Sequence, residues 1–131
     1  MPIFKEAMKE RRFAPRYRCD FSVAVEVEKQ RYSFAARNIS LTGLAVEVSQ
    51  STKQTLAGFD IRLDVGDPLT LLLPAVGKDR PSIPASCQVQ YLRRLSQDSW
   101  LMGCQFTDPG AAITQTVEGW TRTLEPESRH I

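Results

Sequence analysis

The sequence predicts a mainly β domain: a small antiparallel six- to seven-stranded β-barrel with a C-terminal α-helix across it. Two observations lead to this fold class. Apolar side chains alternate with polar ones along most of the chain, which is the period of half-buried strands, and near the C-terminus the period becomes helical. The chain has 131 residues, of which 42% are hydrophobic and 24% charged. These values are typical of one soluble globular domain with a real core.

Residues 1–10 are predicted to form an N-terminal arm or a short helix. Phe4 and Met8 are four residues apart in this segment, so both can lie on one helix face. No linker or internal repeat divides the rest of the chain. We therefore expect a single barrel domain over residues 11–124, followed by a tail over residues 125–131.

The barrel strands are predicted from alternating or continuous apolar runs. Six such runs are clear, and they begin at Phe21, Tyr32, Leu44, Leu69, Ile83 and Trp100. A shorter run at residues 61–65 predicts one more strand, whereas residues 49–60 are polar without a period and indicate a loop with at most a helical turn. The run from Ile83 continues to Tyr91, and as one regular strand it places Tyr91 on the same face as Cys87.

A C-terminal helix is predicted after the last strand. Its apolar face is spaced by threes and fours, at Ile113, Val117, Trp120 and Leu124. Asp108 is the predicted N-cap, with Pro109 in the first helical position.

Positive charge is concentrated near the N-terminus. Residues 1–18 contain six Lys or Arg and two Asp or Glu, whereas the remaining chain contains 11 and 13. This distribution disfavours a protein that coats nucleic acid and suggests a local anion site. No apolar run reaches the ~18 residues of a membrane span, and the charged N-terminus does not resemble a signal peptide. The three cysteines form no CxxC motif and indicate reduced thiols, so we expect a cytoplasmic protein without a membrane span.

The sequence contains no recognisable catalytic apparatus. The only histidine is His130, next to the last residue, which disfavours Ser-His, Cys-His and metal-His arrangements. The glycines are scattered singly and form no phosphate-binding loop. We therefore expect no enzyme activity, no metal and no cofactor.

Two motifs carry chemistry that suits an anionic ligand with hydrogen-bonding edges. The first contains Arg11, Arg12 and Arg16, whose planar guanidinium groups can bind phosphates or the O6/N7 edge of guanine in a bidentate way. The second contains Asn38, Ser40 and Gly43, an amide and a hydroxyl beside a glycine that permits a close backbone approach. Each motif alone is more typical of a solvated basic segment or of a polar turn.

Together the motifs are far more specific. RRxxxR (residues 11–16) some 20 residues before NxSxxG (residues 38–43), with alternating strands between them, resembles the PilZ domain, a bacterial receptor for cyclic di-GMP. Residues 65–69 resemble the glycine–aspartate turn of that family, and residues 103–106 resemble its final GxxF strand. The resemblance extends over about residues 10–124.

The resemblance implies a role for each motif residue. Arg12 and Arg16 are expected to bind phosphates and guanine edges, and Arg11 is of the kind associated with a stacked pair of nucleotides. Asn38, where the family commonly has aspartate, and Ser40 are expected to contact a guanine. Gly43 is expected to let the backbone approach the ligand.

The implied function is a non-enzymatic receptor that relays cyclic di-GMP binding, through ordering of the N-terminal arm, to a protein of the motility, secretion or exopolysaccharide machinery. One alternative is a nucleotide-independent adaptor on the same barrel. A second is a barrel that binds single-stranded nucleic acid, but such sites need exposed aromatics along a strand face. Most aromatic residues of this sequence are instead at positions expected in the core: Phe21, Phe34, Phe106 and Trp120. We therefore rank binding of a nucleic acid polymer last among the three functions.

Overall fold

The computed structural model describes residues 15–77 and 80–126, and over this range the chain forms seven strands and two helices. The strands are β1 (Tyr17–Arg18), β2 (Ser22–Val27), β3 (Gln30–Ser40), β4 (Gly43–Ser49), β5 (Pro68–Leu73), β6 (Ile83–Ser96) and β7 (Ser99–Phe106). The helices are α1 (Gln50–Gly58), between β4 and β5, and α2 (Gly110–Thr123), after β7. The predicted arm, Arg11, Arg12 and most of the predicted tail lie outside the described residues.

Six strands close into an antiparallel barrel. The order of neighbours is β3-β2-β5-β6-β7-β4, and β4 pairs back with β3 to complete the ring. The short β1 adds to the outside of this ring by pairing with the end of β3. The predicted fold class, a mainly β barrel of six to seven strands with a C-terminal helix, is confirmed.

The alternating residues of the strands fill the interior of the barrel. Closing the sheet leaves no free edge in the ring and places one side chain of every two inside it. The largest side chains with almost no exposed surface include Phe34, Ile39, Leu71, Leu73 and Met102.

Helix α2 packs against the barrel through one face, as predicted. Ile113 and Val117 are buried in the core. Trp120 donates a hydrogen bond from Nε1 to the carbonyl of Pro74 at 2.7 Å, and its ring lies 4.6 Å from that of Phe21 between centroids.

Three local predictions differ from the structure. Residues 50–58 form helix α1 rather than a loop, with the Ser49 hydroxyl as N-cap and only Leu56 buried. Residues 61–65 form no strand, because Leu63 is buried while Val65 is 62% exposed and no neighbouring strand pairs with them. Helix α2 begins at Gly110 with Pro109 as its N-cap residue, one residue later than predicted.

Neither helix in residues 15–77 and 80–126 is long and apolar enough to cross a membrane.

Candidate functional site

A cavity of about 480 Å³ lies on the surface of the barrel, where β3, β4, β7 and β6 run side by side. Its lining comes from these strands, from the turn between β3 and β4 and from the residue that precedes β1: Arg16, Asn38, Ser40, Thr42, Gly43, Leu44, Ala45, Gln90, Tyr91, Gly103, Cys104 and Gln105. Asn38 and Ala45 alternate along their strands with the core residues Ile39 and Val46, so they belong to the outer face.

The floor of the cavity is one row of paired residues across four strands. Asn38 pairs with Ala45. Ala45 pairs with Gly103, and Gly103 with Tyr91. The two central members of the row are small and its outer members are large or polar. A shallow, flat floor with functional groups at both ends follows from this register.

A second row beside it explains the glycine of the NxSxxG motif. Ser40 pairs with Gly43, and Gly43 pairs with Gln105 on β7. A Cβ atom at Gly43 would lie 2.1 Å from the carbonyl oxygen of Cys104, far inside van der Waals contact. Glycine is therefore required here for β4 and β7 to approach each other, whatever the cavity binds.

The hydroxyl of Ser40 is engaged in the β3–β4 turn. It accepts a hydrogen bond from the backbone N–H of Thr42 at 3.2 Å, and it lies 3.1 Å from Oγ1 of Thr42. It also lies 3.4 Å from the carbonyl oxygen of Gly43 and can donate to it. Ser40 is only 6% exposed. This side chain fixes the turn that carries one wall of the cavity.

Arg16 and Asn38 are two motif residues of the cavity whose polar side chains are uncommitted. Within residues 15–77 and 80–126, neither side chain makes a hydrogen bond or an ion pair. Arg16 is exposed and Asn38 is half-buried. Neither has to break a contact with another described residue in order to bind a ligand.

The electrostatic character of the cavity favours an anion. Its lining, among the described residues, includes the guanidinium of Arg16 and no carboxylate. Glu47, further along β4, accepts a hydrogen bond from Nε of Arg37 at 3.0 Å. That acid is thus paired with its own cation, and Arg16 is the charged residue among those that line the described cavity.

Tyr91 is a cavity residue that the sequence pattern assigned to the wrong face. The register between β6 and β7 shifts between Val89 and Tyr91, which marks a β-bulge at Gln90. The bulge reverses the alternation, so Val89 stays in the core while Tyr91 turns outward and is 38% exposed. Its ring lies against Gly103, where a Cβ atom would be 2.0 Å from Cε2 of Tyr91.

The predicted site residues are brought together as far as the structure describes them. Arg16, Asn38, Ser40 and Gly43 all line the one cavity, although Arg16 and Asn38 are far apart in sequence. The two remaining arginines lie outside the described residues. The sequence motifs did not identify Thr42, Gln90, Tyr91 or Gln105.

Comparison with known proteins gives a family match over most of the chain. The family model described as PilZ domain matches residues 10–122. No curated protein matches the sequence.

Solved structures with the same fold include several bacterial proteins. The inhibitor of motility MotI (DgrA) of Bacillus subtilis has a TM-score of 0.63 at 17% identity, and the match covers 86% of this chain and 51% of that one. The PilZ domain of YcgR from Escherichia coli, solved with cyclic di-GMP, has a TM-score of 0.63 at 10% identity, covering 87% of this chain and 91% of that one. The complex of MrkH from K. pneumonia with cyclic di-GMP has a TM-score of 0.59 at 20% identity, covering 86% and 51%. The chain thus spans about half the length of MotI and MrkH.

Proposed function

The chain belongs to the PilZ domain family, and on that premise we propose that it is a non-enzymatic cytoplasmic receptor for cyclic di-GMP. The observation that carries the proposal is the single cavity shared by Arg16, Asn38, Ser40 and Gly43. These residues come from two separate motifs and meet only because β1 pairs with the end of β3.

The chemistry of the cavity suits this ligand. Cyclic di-GMP carries two phosphate charges and two guanines, and Arg16 offers a guanidinium fork that binds either group. The uncommitted amide of Asn38 can accept a hydrogen bond from a guanine N–H. A volume of about 480 Å³ is within the usual range for small-molecule sites.

Arg11 and Arg12 complete the proposed site. Arg12 precedes Arg16 by four residues, and Arg11 is next to Arg12 in the sequence. A ligand held by Arg16 is therefore within reach of the segment that contains Arg11 and Arg12. Binding of the phosphates would order the N-terminal arm over the cavity, and the ordering entropy would be offset by the new charge-assisted hydrogen bonds.

The pairing of β1 supports a relay from the cavity to the C-terminal helix. Tyr17, next to Arg16, pairs with Ile39 on one side and bridges to Pro126 on the other. The backbone N–H of Arg18 donates to the carbonyl of Glu125 at 3.3 Å. The segment that would clamp the ligand is therefore bonded to the chain just after α2, where a change of conformation can be presented to a partner.

The partner is proposed to belong to the motility, secretion or exopolysaccharide machinery of a bacterium. MotI is named as an inhibitor of motility, and MrkH and the YcgR domain were solved with cyclic di-GMP. For this chain, which is about half as long as MotI and MrkH, the effect on such a partner is part of the proposal.

Isothermal titration of the protein with cyclic di-GMP tests the proposal. We expect saturable binding at micromolar ligand and a loss of roughly 10- to 150-fold in affinity for Arg16→Ala, the cost of one bidentate arginine contact. Arg31→Ala is the matched control, because Arg31 is exposed and faces Glu26 at 4.0 Å, outside the cavity. No heat of binding at tens of micromolar would refute the proposal and favour the adaptor, whose partner binding would be insensitive to Asn38→Ala.

A further inference from the structure

Strand β6 extends beyond the closed part of the barrel and has one unpaired edge there. The strand runs from Ile83 to Ser96, but its neighbour β5 pairs only with residues 83–88 of it. Its other neighbour, β7, stays paired with it as far as Ser96. From residue 90 onward β6 is therefore the outermost strand of this part of the sheet.

The turn before β5 ends the pairing on this side of β6. The backbone N–H of Gly66 donates to the carbonyl of Val89 at 2.8 Å, and the N–H of Val89 donates to the carbonyl of Asp67 at 2.9 Å. Beyond Val89, β7 supplies all the backbone partners of β6 among residues 15–77 and 80–126. The backbone groups of residues 90–96 that point away from β7 are thus available to another strand. We call this the free edge of β6.

The free edge carries two arginines. Arg93 is exposed, and its side chain makes no hydrogen bond or ion pair with another described residue. Arg94 donates from Nε to the carbonyl of Ser96 at 3.1 Å, and its guanidinium lies 4.6 Å from the centroid of the Trp100 ring. These contacts fix the position of the Arg94 charge without neutralising it.

No carboxylate of the described residues balances this pair of charges. In the row of paired residues that contains Arg93, Leu101 comes next and Glu47 follows. Glu47 is two strand spacings away, or about 10 Å, and it accepts a hydrogen bond from Arg37. Asp98, in the turn between β6 and β7, forms none of the ion pairs found in residues 15–77 and 80–126. The free edge is therefore a positively charged surface that suits an acidic partner.

The shape and charge of the free edge restrict which strands can add to it. The register of β6 with β7 shifts at Gln90 and again at Leu95, so regular pairing is confined to residues 91–94 between the two shifts. Bulges and charged side chains at an edge oppose indiscriminate strand addition. A second copy of this chain would bring its own Arg93 and Arg94 against the same residues, and like charges across strands are destabilising. An acidic strand would form favourable cross-strand pairs instead.

We propose that the free edge of β6 docks a short, extended, acidic segment of a partner protein, which adds to the sheet as a further strand. Main-chain hydrogen bonds to residues 91–94 supply affinity, and Arg93 and Arg94 select acidic side chains. Leu95, which is 45% exposed at the end of this segment, offers an apolar contact. The proposal goes beyond the receptor function and does not depend on nucleotide binding.

Fluorescence anisotropy with a labelled peptide measures this docking in the absence of nucleotide. The probe is an extended peptide of alternating glutamate and valine, about six residues long, which is an ordinary strand length. We expect saturable binding, and about 5- to 30-fold weaker binding to Arg93→Glu, because attraction is replaced by repulsion at one cross-strand position and weakened at its neighbours. Arg31→Glu is the matched control, since Arg31 is an exposed arginine on β3, which is not a neighbour of β6.

Two further probes separate strand addition from simple attraction of charge. The same peptide with N-methyl groups on alternate backbone nitrogens keeps every carboxylate but loses the donors of one edge, and it should not bind. A peptide with lysine in place of glutamate should not bind either. In hydrogen exchange followed by NMR, the acidic peptide should slow exchange at the amides of residues 91–94 that point away from β7.

The contrary outcomes are equally specific. No binding of the acidic peptide at millimolar concentration would overturn the proposal, and so would equal binding of its N-methylated form or unchanged exchange at residues 91–94. A dimer of the protein in analytical ultracentrifugation that protects these same amides would replace the acidic partner by a second copy of the chain. Each of these results leaves the receptor function standing, because no nucleotide takes part in the experiment.

Discussion

Gly43 and Cys104 approach so closely across β4 and β7 that a Cβ atom at Gly43 would lie 2.1 Å from the Cys104 carbonyl oxygen. The clash is with backbone, which cannot rotate away as a side chain can. We expect Gly43→Ala to lower the free energy of unfolding by about 2–4 kcal/mol, as overpacking against a rigid neighbour does. Urea denaturation followed by circular dichroism measures the change.

Gly58 provides the control for this substitution. A Cβ atom there meets nothing within 4 Å, and the residue ends helix α1, so Gly58→Ala should leave stability unchanged or raise it by up to about 1 kcal/mol. If Gly43→Ala is as stable as Gly58→Ala and only loses nucleotide binding, the glycine serves ligand approach and not the pairing of β4 with β7.

Ser40 is expected to contribute mainly through the turn that it stabilises. Ser40→Ala removes the acceptor of the Thr42 N–H and should lower the free energy of unfolding by about 1–2 kcal/mol. Thr42→Val, which removes only the hydroxyl contact at 3.1 Å, should cost less. Thermal denaturation of both variants measures the difference. Unchanged stability of Ser40→Ala with weakened nucleotide binding would show instead that the hydroxyl binds the ligand directly.

Asn38 allows a test of how a guanine of the ligand is bound. A carboxylate accepts charge-assisted hydrogen bonds from both guanine N–H groups, whereas an amide has one acceptor oxygen. We therefore expect Asn38→Asp to bind cyclic di-GMP about fivefold more tightly, a gain of about 1 kcal/mol, and Asn38→Ala to bind more weakly. Titration calorimetry compares the three proteins. Weaker binding by the aspartate variant would indicate that the Asn38 amide donates to the guanine O6/N7 edge.

Hydrophobic periodicity predicted the barrel because each strand of a closed barrel has one face in the core and one face in solvent. Apolar and polar residues therefore alternate along each strand. The runs from Phe21, Leu44, Leu69, Ile83 and Trp100 each correspond to a strand of the structure. Periodicity could not locate α1, since Leu56 is its only buried residue and the rest of the helix is polar or small. It also suggested a strand at residues 61–65, where Ile61 and Leu63 pack on the core without pairing to a neighbour.

The site residues that belong to short sequence motifs were predictable. The site residues that are positioned by the pairing register of β6 with β7 were not. The resemblance of the two motifs to those of the PilZ domain implied that Arg16 and Asn38 belong to one site, and both line one cavity. The outward position of Tyr91 in the cavity depends on a bulge at Gln90, and nothing in the local pattern of β6 indicates which residue is extra. The need for glycine at position 103 is apparent only from the Tyr91 ring that lies against it on β6, and the sequence does not reveal this contact.

Two of the three core thiols, those of Cys87 and Cys104, predict a loss of stability at alkaline pH. Burial raises the pKa of Cys87 from 9.0 to about 12. Burial, and secondarily the neighbouring Cys87, raises the pKa of Cys104 to about 12 as well. In the unfolded chain each thiol ionises near pH 9, whereas in the folded protein it stays protonated up to about pH 12. The unfolded state therefore releases protons first, and the stabilising contribution of each thiol is complete below pH 9 and declines as the pH rises towards 12.

Urea denaturation between pH 8 and pH 11 measures this decline. The free energy of unfolding should fall above pH 9 by up to about 1.4 kcal/mol per pH unit for each buried thiol, in addition to the effect of other groups. The Cys87→Ala/Cys104→Ala double variant is the control, because it retains every other titrating group and should show a shallower slope. Equal slopes in the two proteins would mean that the thiols ionise in the folded state as readily as in the unfolded chain, and so that the interior beside β6 and β7 admits water.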